Sequence, residues 1–296
     1  MQSAGFTHHA IRIIINFMPT TISPIGVFDS GVGGLSVLRS IRVQMPEENV
    51  LYFGDQVHVP YGPRSMEQIQ NFSEGITKFL LDHDSKLIVV ACNAASAAAL
   101  NFLRGYFPAV SFVGMEPAVK PAVETTQTGK VGVLATPATF QGALYASVVE
   151  RFAIGVELFQ HTCPGLVGQI EKGDLDSDVT RDILEDALCP MLEKNIDTVV
   201  LGCTHYPFVI PLIEQIVGEN VRVIDPAPSV AKQAKRLLEA TGTGCQSQGH
   251  PSSVRFFTSG NPSEVKSLLP VLLGEAGEVE SVTWKNDREV TTLYQK

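Results

Sequence analysis

Two cysteines stand in matching settings. In "KLIVVACNAAS" (86–96) and in "DTVVLGCTHYP" (197–207) an apolar run ends, one small residue follows, and Cys92 or Cys203 opens a short polar stretch. A free thiol is a weak acid with a pKa of about 8.5, and its thiolate is a base and a nucleophile. Taken singly, each reads more readily as a small buried hydrophobe. Taken as a pair at the ends of similar segments, they suit one reaction class. One thiolate removes a proton from carbon, and the opposite thiol returns a proton to the other face, inverting the centre. A proton next to a carboxylate is very weakly acidic, so neighbours must tune both thiols. His205, two residues from Cys203, can hold or relay a proton near neutral pH. Asp29, in "GVFDSGVGGLSVL", is placed to do the same for Cys92.

Other chemistries fit less well. In "DSGVGG" (29–34) Gly31 and Gly33 match a dinucleotide G-x-G, but position 36 is serine and the acid expected about 20 residues on, Asp55, comes late. The stretch reads as a tight turn or a cradle for a small anion. Cys203 and His205 lack further ligands at metal-site spacing. A cysteine-nucleophile amidase needs one thiol and an oxyanion hole, which leaves the second thiol without a task. A non-catalytic small-ligand-binding protein would leave both thiols and His205 unexplained. Among the other cysteines, Cys163 precedes Pro164 and reads as structural, Cys189 falls on the apolar stripe of a helix and reads as core, and Cys245 lies in a polar loop.

These residues sit in 296 residues of ordinary globular composition, 44% hydrophobic and 18% charged. The net charge of −9 argues against nucleic acid, whose phosphates need clustered Lys and Arg. Five scattered cysteines with no C-x-x-C pair suit a reducing cytosol, and a cytoplasmic protein is expected. No apolar run approaches the ~20 residues that span a bilayer. "AIRIIINFM" (10–18) makes a poor signal peptide. Residues 1–23 read as an extension before the domain, with Met18 as an alternative start. The sequence leaves the oligomeric state open, a homodimer among the options.

Strand and helix patterns alternate along the chain. "PIGVFDSGVGGLSVLRSIRVQMP" (24–46) reads as strand, glycine turn and helix, with Leu35, Leu38 and Ile41 at helical spacing. "NVLYFGD", "KLIVVAC", "KVGVLA", "DTVVLGC" and "VRVID" are further strands, and 65–83, 93–107 and 177–196 are helical. The chain closes with a strand in "SSVRFFTSG" and a helix in "EVKSLLPVLLG". The expected fold class is α/β: two similar domains, each a mostly parallel sheet flanked by helices, with the site in the cleft between them. The look-alike "GMEPA" and "IDPAP" mark the crossings. The first domain is then 24–115 plus 225–296, the second 116–224. Asp29-Ser30, Cys92-Asn93 and Cys203-Thr204-His205 all fall beyond strand ends, where ligands bind in open α/β sheets.

With these motifs in view, the chain resembles the cofactor-independent glutamate racemases of the aspartate/glutamate racemase family. The resemblance covers about residues 24 to 273. It is carried by "GVFDSGVGGLSVL", "YFGDQVHVPYGPRS", "ACNAASA", "GVLATPATF", "CPGLVGQIE" and "VLGCTHYPF" together. It implies interconversion of L- and D-glutamate for peptidoglycan synthesis, with no cofactor and no metal. Residue by residue, it implies catalytic thiols at Cys92 and Cys203, with Asp29 assisting the first and His205 and Glu171 the second. It implies substrate contacts from Asp29 and Ser30, Tyr61 and Gly62, Asn93 and Ala94, Thr139, and Thr204 and His205. A related racemase of aspartate or a hydantoin is the alternative within the same chemistry.

Two positions depart from the family pattern. Cys-Asn-Thr is usual where this chain has Cys92-Asn93-Ala94, and glycine is frequent where it has Ala138. A hydroxyl able to bind a substrate carboxylate is thus missing at 94. Unreplaced, that loss is worth about 1.5–3 kcal/mol. Ser96 or a water is the expected replacement.

Overall fold

The computed structural model describes residues 19–245 and 252–292. The expected extension, Met18 included, lies outside the described residues except for 19–23.

Two sheets organise the chain. In the first, β1 (Ile25–Asp29) pairs in parallel with β2 (Val50–Gly54) and β3 (Leu87–Val90), and β3 pairs with β4 (Phe112–Gly114). The second sheet is wholly parallel, with β5 (Lys130–Ala135) between β6 (Glu157–His161) and β7 (Thr198–Gly202), and β8 (Arg222–Ile224) beside β7. The chain then returns to the first sheet with β9 (Val254–Thr258) alongside β2 and β10 (Val279–Asn286) alongside β9. A final strand, β11 (Glu289–Thr292), runs antiparallel to β10. The expected closing strand and helix are therefore followed by a hairpin. Its alternation of Val, Ser, Thr, Trp and Lys leaves it half-exposed, a weaker signal than the buried runs of the central strands.

The buried strands β1, β3 and β7 are continuous apolar runs because helices cover both faces. Helix α1 (Leu35–Gln44) follows the glycine turn and buries Leu35, Leu38 and Ile41. Helix α2 (Met66–Asp82) begins at a capping box in which Ser65 and Gln68 satisfy each other's backbone N–H groups. Helix α3 (Asn93–Tyr106) is capped by Cys92 itself. Short helices α4 (Val119–Thr125), α5 (Pro137–Gln141), α6 (Ala143–Phe152) and α7 (Leu166–Ile170) precede α8 (Asp178–Leu192). On α8 the buried stripe is Leu184, Ala187, Leu188 and Met191, and Cys189 is exposed. That corrects its expected place in the core, because 189 lies one helical step beyond the stripe. The expected Pro-started helix at 207 opens as a 3-10 turn, Tyr206–Val209, before α9 (Ile210–Val217). Helix α10 (Ala227–Thr241) packs against α1, and α11 (Pro262–Leu272) against β9 and β10. One apolar cluster runs from Val27 and Leu38 through Leu134 and Leu201, so the two sheets share a continuous core.

A buried ion pair fixes one edge. Lys86 Nζ lies 2.6 Å from Glu48, both side chains almost wholly buried, and donates to the Thr21 carbonyl at 2.7 Å. Glu48 also accepts the Cys245 N–H at 2.7 Å. Removing one charge strands the other out of water. Lys86→Met is therefore expected to cost about 3–5 kcal/mol in chemical denaturation, and adding Glu48→Leu to recover most of it. A loss below about 1 kcal/mol for the single variant would contradict this, being the size of a surface pair.

Candidate functional site

Strand register sets the site. Asp29 ends β1 opposite Gly54 of β2, and Phe28 stands opposite Val90, so Cys92 leaves β3 beside Asp29. In the second sheet Gly202 stands opposite Ala135, so Cys203 leaves β7 beside Thr136. Both thiols are buried, at 5% exposure each.

The turn 29–34 is the common neighbour of the two sides. The Cys92 thiol points to Ser30 Oγ at 3.8 Å and accepts the Ala95 N–H at 3.5 Å. Asp29, wholly buried, accepts the Gly31 N–H at 3.0 Å and the Thr204 hydroxyl at 3.4 Å, 175 residues away. Ser36, at the start of α1, donates to the carbonyls of Gly33 and Thr204, both at 2.9 Å. Two glycines make this approach possible. A Cβ at Gly33 would collide with the His205 ring and Thr204, and one at Gly31 with the Glu171 carboxylate and Gln56.

On the second side, Cys203 Sγ lies 3.7 Å from His205 Nδ1, and His205 Nε2 lies 2.6 Å from Glu171 Oε1. Glu171 is held by the Val32 N–H at 3.0 Å and by Gln56 Nε2 at 2.9 Å. This carboxylate on the residue after α7 thus bridges the second sheet's imidazole to the first sheet's turn.

Electrostatics divides the two sides. Burial pushes Asp29 above the usual carboxylate range, against the opposing pull of His205 and the Gly31 N–H. Burial, then the charge of Asp29, pushes the Cys92 thiol far up, against the Ala95 N–H. Burial alone would lower the His205 imidazole, but its hydrogen bonds to Cys203 and Glu171 outweigh it and hold the ring well above 6.5. Burial alone would raise Glu171, but the His205 hydrogen bond and charge, then Gln56 and Val32, take it below 4.5. The Asp29–Cys92 side therefore favours protonated groups and the His205–Glu171 side an ion pair. Buried Cys163 is pushed up to about 12 by burial and by Cys203.

The remaining expected residues fall around these two sides. Asn93 is buried and its side-chain amide makes no hydrogen bond, through either Oδ1 or Nδ2. Ala94, 7% exposed, follows it in the first turn of α3, whose leading N–H groups have no partner within the helix. Thr139 donates to the Gly202 carbonyl at 3.4 Å and lies 3.2 Å from the Thr136 hydroxyl. The Tyr61 hydroxyl donates to Asp55 at 2.7 Å. Ser96 does not replace the hydroxyl missing at 94. Its single proton is donated to the Val90 carbonyl at 3.1 Å, and its oxygen accepts the Met115 N–H at 2.8 Å. Gln56, Ser36 and Tyr52, which donates to the Gly31 carbonyl at 2.8 Å, were not singled out from the sequence. Only the adjacency of Gln56 to Asp55 in "YFGDQ" hinted at it. Among the described residues no group of three or more His, Cys, Asp and Glu side chains is arranged to hold a metal ion, and no helix is long and apolar enough to cross a membrane.

Residues 25–234 match the model of the Asp/Glu/Hydantoin racemase family. The chain belongs to that family. A glutamate racemase of Pseudomonas paraeruginosa is 48% identical over 262 residues, 88% of this chain and 98% of that one. Among solved structures, a glutamate racemase isoform from Bacillus anthracis superposes with a TM-score of 0.79 at 35% identity, covering 88% of this chain and 97% of that one. Escherichia coli glutamate racemase, in complex with L-glutamate and the activator UDP-MurNAc-ala, has a TM-score of 0.77 at 32% identity, covering 92% and 99%. These likenesses span both sheets, so the two-sided racemase fold is shared.

The His205–Glu171 pair sets a pH window. Its contribution to stability is complete above 4.5, the ordinary value for Glu171, and below 6.5, that for His205. It fades as pH falls through the lowered Glu171 value and as pH rises through the raised His205 value. The stability difference between wild type and Glu171→Gln, from denaturation midpoints, is expected to peak within that window. A difference flat from about pH 3 to pH 9 would contradict the ion pair.

Proposed function

We propose that this chain is a cofactor-independent glutamate racemase, with Cys92 and Cys203 as the two acid–base thiols. The observation that carries the reading is the placement of two buried thiols on either side of one turn. Cys203 lies beside His205–Glu171, and Cys92, hydrogen-bonded to Ser30, feels the charge of Asp29.

The chemistry follows from the two sides. Burial makes the ionised Asp29 carboxylate a stronger base than an exposed one, so in that form it is suited to take the Cys92 proton when that thiol must act as a base. The Cys92 thiolate removes the α-proton from one face of glutamate. Cys203 gives its proton to the opposite face, and the cationic His205 ring beside it supports the negative charge then left on sulfur. In the reverse direction the roles exchange. The first N–H groups of α3 and the unpartnered Asn93 amide suit a substrate carboxylate, since helix N-termini favour anions and a buried amide gains by finding a partner. Ser30, Thr139, Thr204 and the Tyr61-Gly62 turn complete the substrate contacts in this reading.

The same reading takes 24–115 plus 225–296 and 116–224 as the two domains, whose strands contribute separately to the two sheets. It also takes a cytoplasmic location, supported by five free cysteines, a homodimeric assembly, and supply of D-glutamate to the cell wall.

Cys92→Ser and Cys203→Ser are each expected to lower racemisation by roughly 10²–10⁴-fold, the usual weight of a general acid or base, with circular dichroism unchanged. Full activity in either variant, or faster turnover of D-aspartate than of D-glutamate by the wild type, would overturn the assignment. Ala94→Thr, which supplies the absent hydroxyl, is expected to lower KM for glutamate about tenfold. An unchanged KM would mean that the N–H groups and Asn93 already suffice.

A further inference from the structure

Asp55 is a wholly buried carboxylate for which the reaction above has no use. Its surroundings are built for an anion. Oδ1 accepts the Ser259 hydroxyl at 2.7 Å and the Trp284 indole N–H at 2.8 Å. Oδ2 accepts the Tyr61 hydroxyl at 2.7 Å and lies 2.9 Å from His58 Nδ1. His58 Nδ1 donates to it in the tautomer that carries the ring proton there. The donors come from three separate parts of the chain: the loop 55–62, the end of β9 and the terminal hairpin. Rings close the cage, with His58 stacked on Phe72 at 3.9 Å between centroids and Trp284 edge-on to both.

The two flanks of Asp55 lead to the two sides of the site. Its own N–H donates to the Asp29 carbonyl at 3.0 Å. The next residue, Gln56, holds Glu171, which holds His205. Six residues on, Tyr61 is anchored by the carboxylate, and at Gly62 a Cβ would come within 3.9 Å of Thr136, the residue after β5 of the second sheet.

We propose that Asp55 is a positioning residue for the racemase site: its buried carboxylate holds the 55–62 loop in register and couples that loop to the C-terminal hairpin through Trp284. The inference rests on the racemase reading for its kinetic consequences. Bonds to an ionised acceptor are short and strong, so four of them fix a loop that carries no regular structure of its own. Neither Trp284 nor Ser259 bonds a thiol: the Trp284 N–H reaches the site through Asp55, and Ser259 through Asp55 and through the Val57 N–H, which its hydroxyl oxygen accepts at 3.1 Å.

The test uses these remote donors. Trp284→Phe keeps the ring and removes one N–H, and Ser259→Ala removes one hydroxyl. Each is expected to raise KM for glutamate about threefold to tenfold while kcat stays within about threefold, and Asp55→Asn to raise KM more. A purely structural role would lower the melting temperature and leave both constants alone. If Asp55→Asn does not fold, the other two variants carry the test. Trp284 is the one tryptophan of the chain, so its emission reads the same coupling directly. Saturating glutamate is expected to shift it in the wild type, even in a chain that binds without turning over. KM within about twofold of wild type in Trp284→Phe and Ser259→Ala would overturn the proposal, as would an emission unmoved by bound glutamate. Failure of the wild type to racemise would count against the function and not against Asp55.

Discussion

Removal of charge from water is the constraint on which this site depends. Asp29, Cys92 and His205 are all buried, and burial disfavours the ionised form of each. The protein answers differently on the two sides. At Asp29 and Cys92 desolvation outweighs the His205 charge and the Gly31 and Ala95 N–H groups, so protonated forms are favoured there. At His205 the hydrogen bonds to Cys203 and Glu171 reverse the sign, and the ring holds its proton. The two sides therefore differ in the charge they keep: none is favoured at Asp29 and Cys92, and an ion pair is favoured at His205 and Glu171.

That arrangement needs the two sheets to meet at very short range, and the turn 29–34 is where they do. It presents backbone and almost no side chain. Gly31 leaves room for Glu171 and Gln56, Gly33 for His205 and Thr204. The N–H groups so exposed become donors: Val32 to Glu171 across the cleft, Gly31 to Asp29 within the turn. A glycine-rich stretch that resembles a phosphate loop thus serves as a joint between the halves of the protein. Its absent side chains matter for packing as much as for conformation. The shared apolar core behind it keeps the joint from opening freely.

Much of this was legible in the sequence because the central strands are buried on both faces and read as unbroken apolar runs. β1, β3 and β7 end in view, and so do Asp29, Cys92 and Cys203. His205 was legible from adjacency. Glu171 was reached by resemblance alone, because nothing local distinguishes it from a solvated helix end, and its partners Val32 and Gln56 lie 139 and 115 residues away. Contacts at such separation leave no local period to read. The terminal hairpin was missed because a half-exposed edge carries neither a continuous apolar run nor a clean alternation. One helical step separates exposed Cys189 from the buried stripe, too little for the apolar pattern to resolve, and nothing local marks the Val90 and Met115 backbone groups that occupy Ser96.

The central claim is that two thiols serve opposite faces of one carbon. It is tested most directly by converting D-glutamate in deuterium oxide with no added cofactor, stopping early, and comparing the α-position of product and recovered substrate. Thiol protons exchange with solvent, so the account predicts L-glutamate carrying deuterium while the remaining D-glutamate still carries hydrogen. Deuterium appearing equally in both enantiomers from the first turnovers would indicate a single base reaching both faces, and would contradict the account.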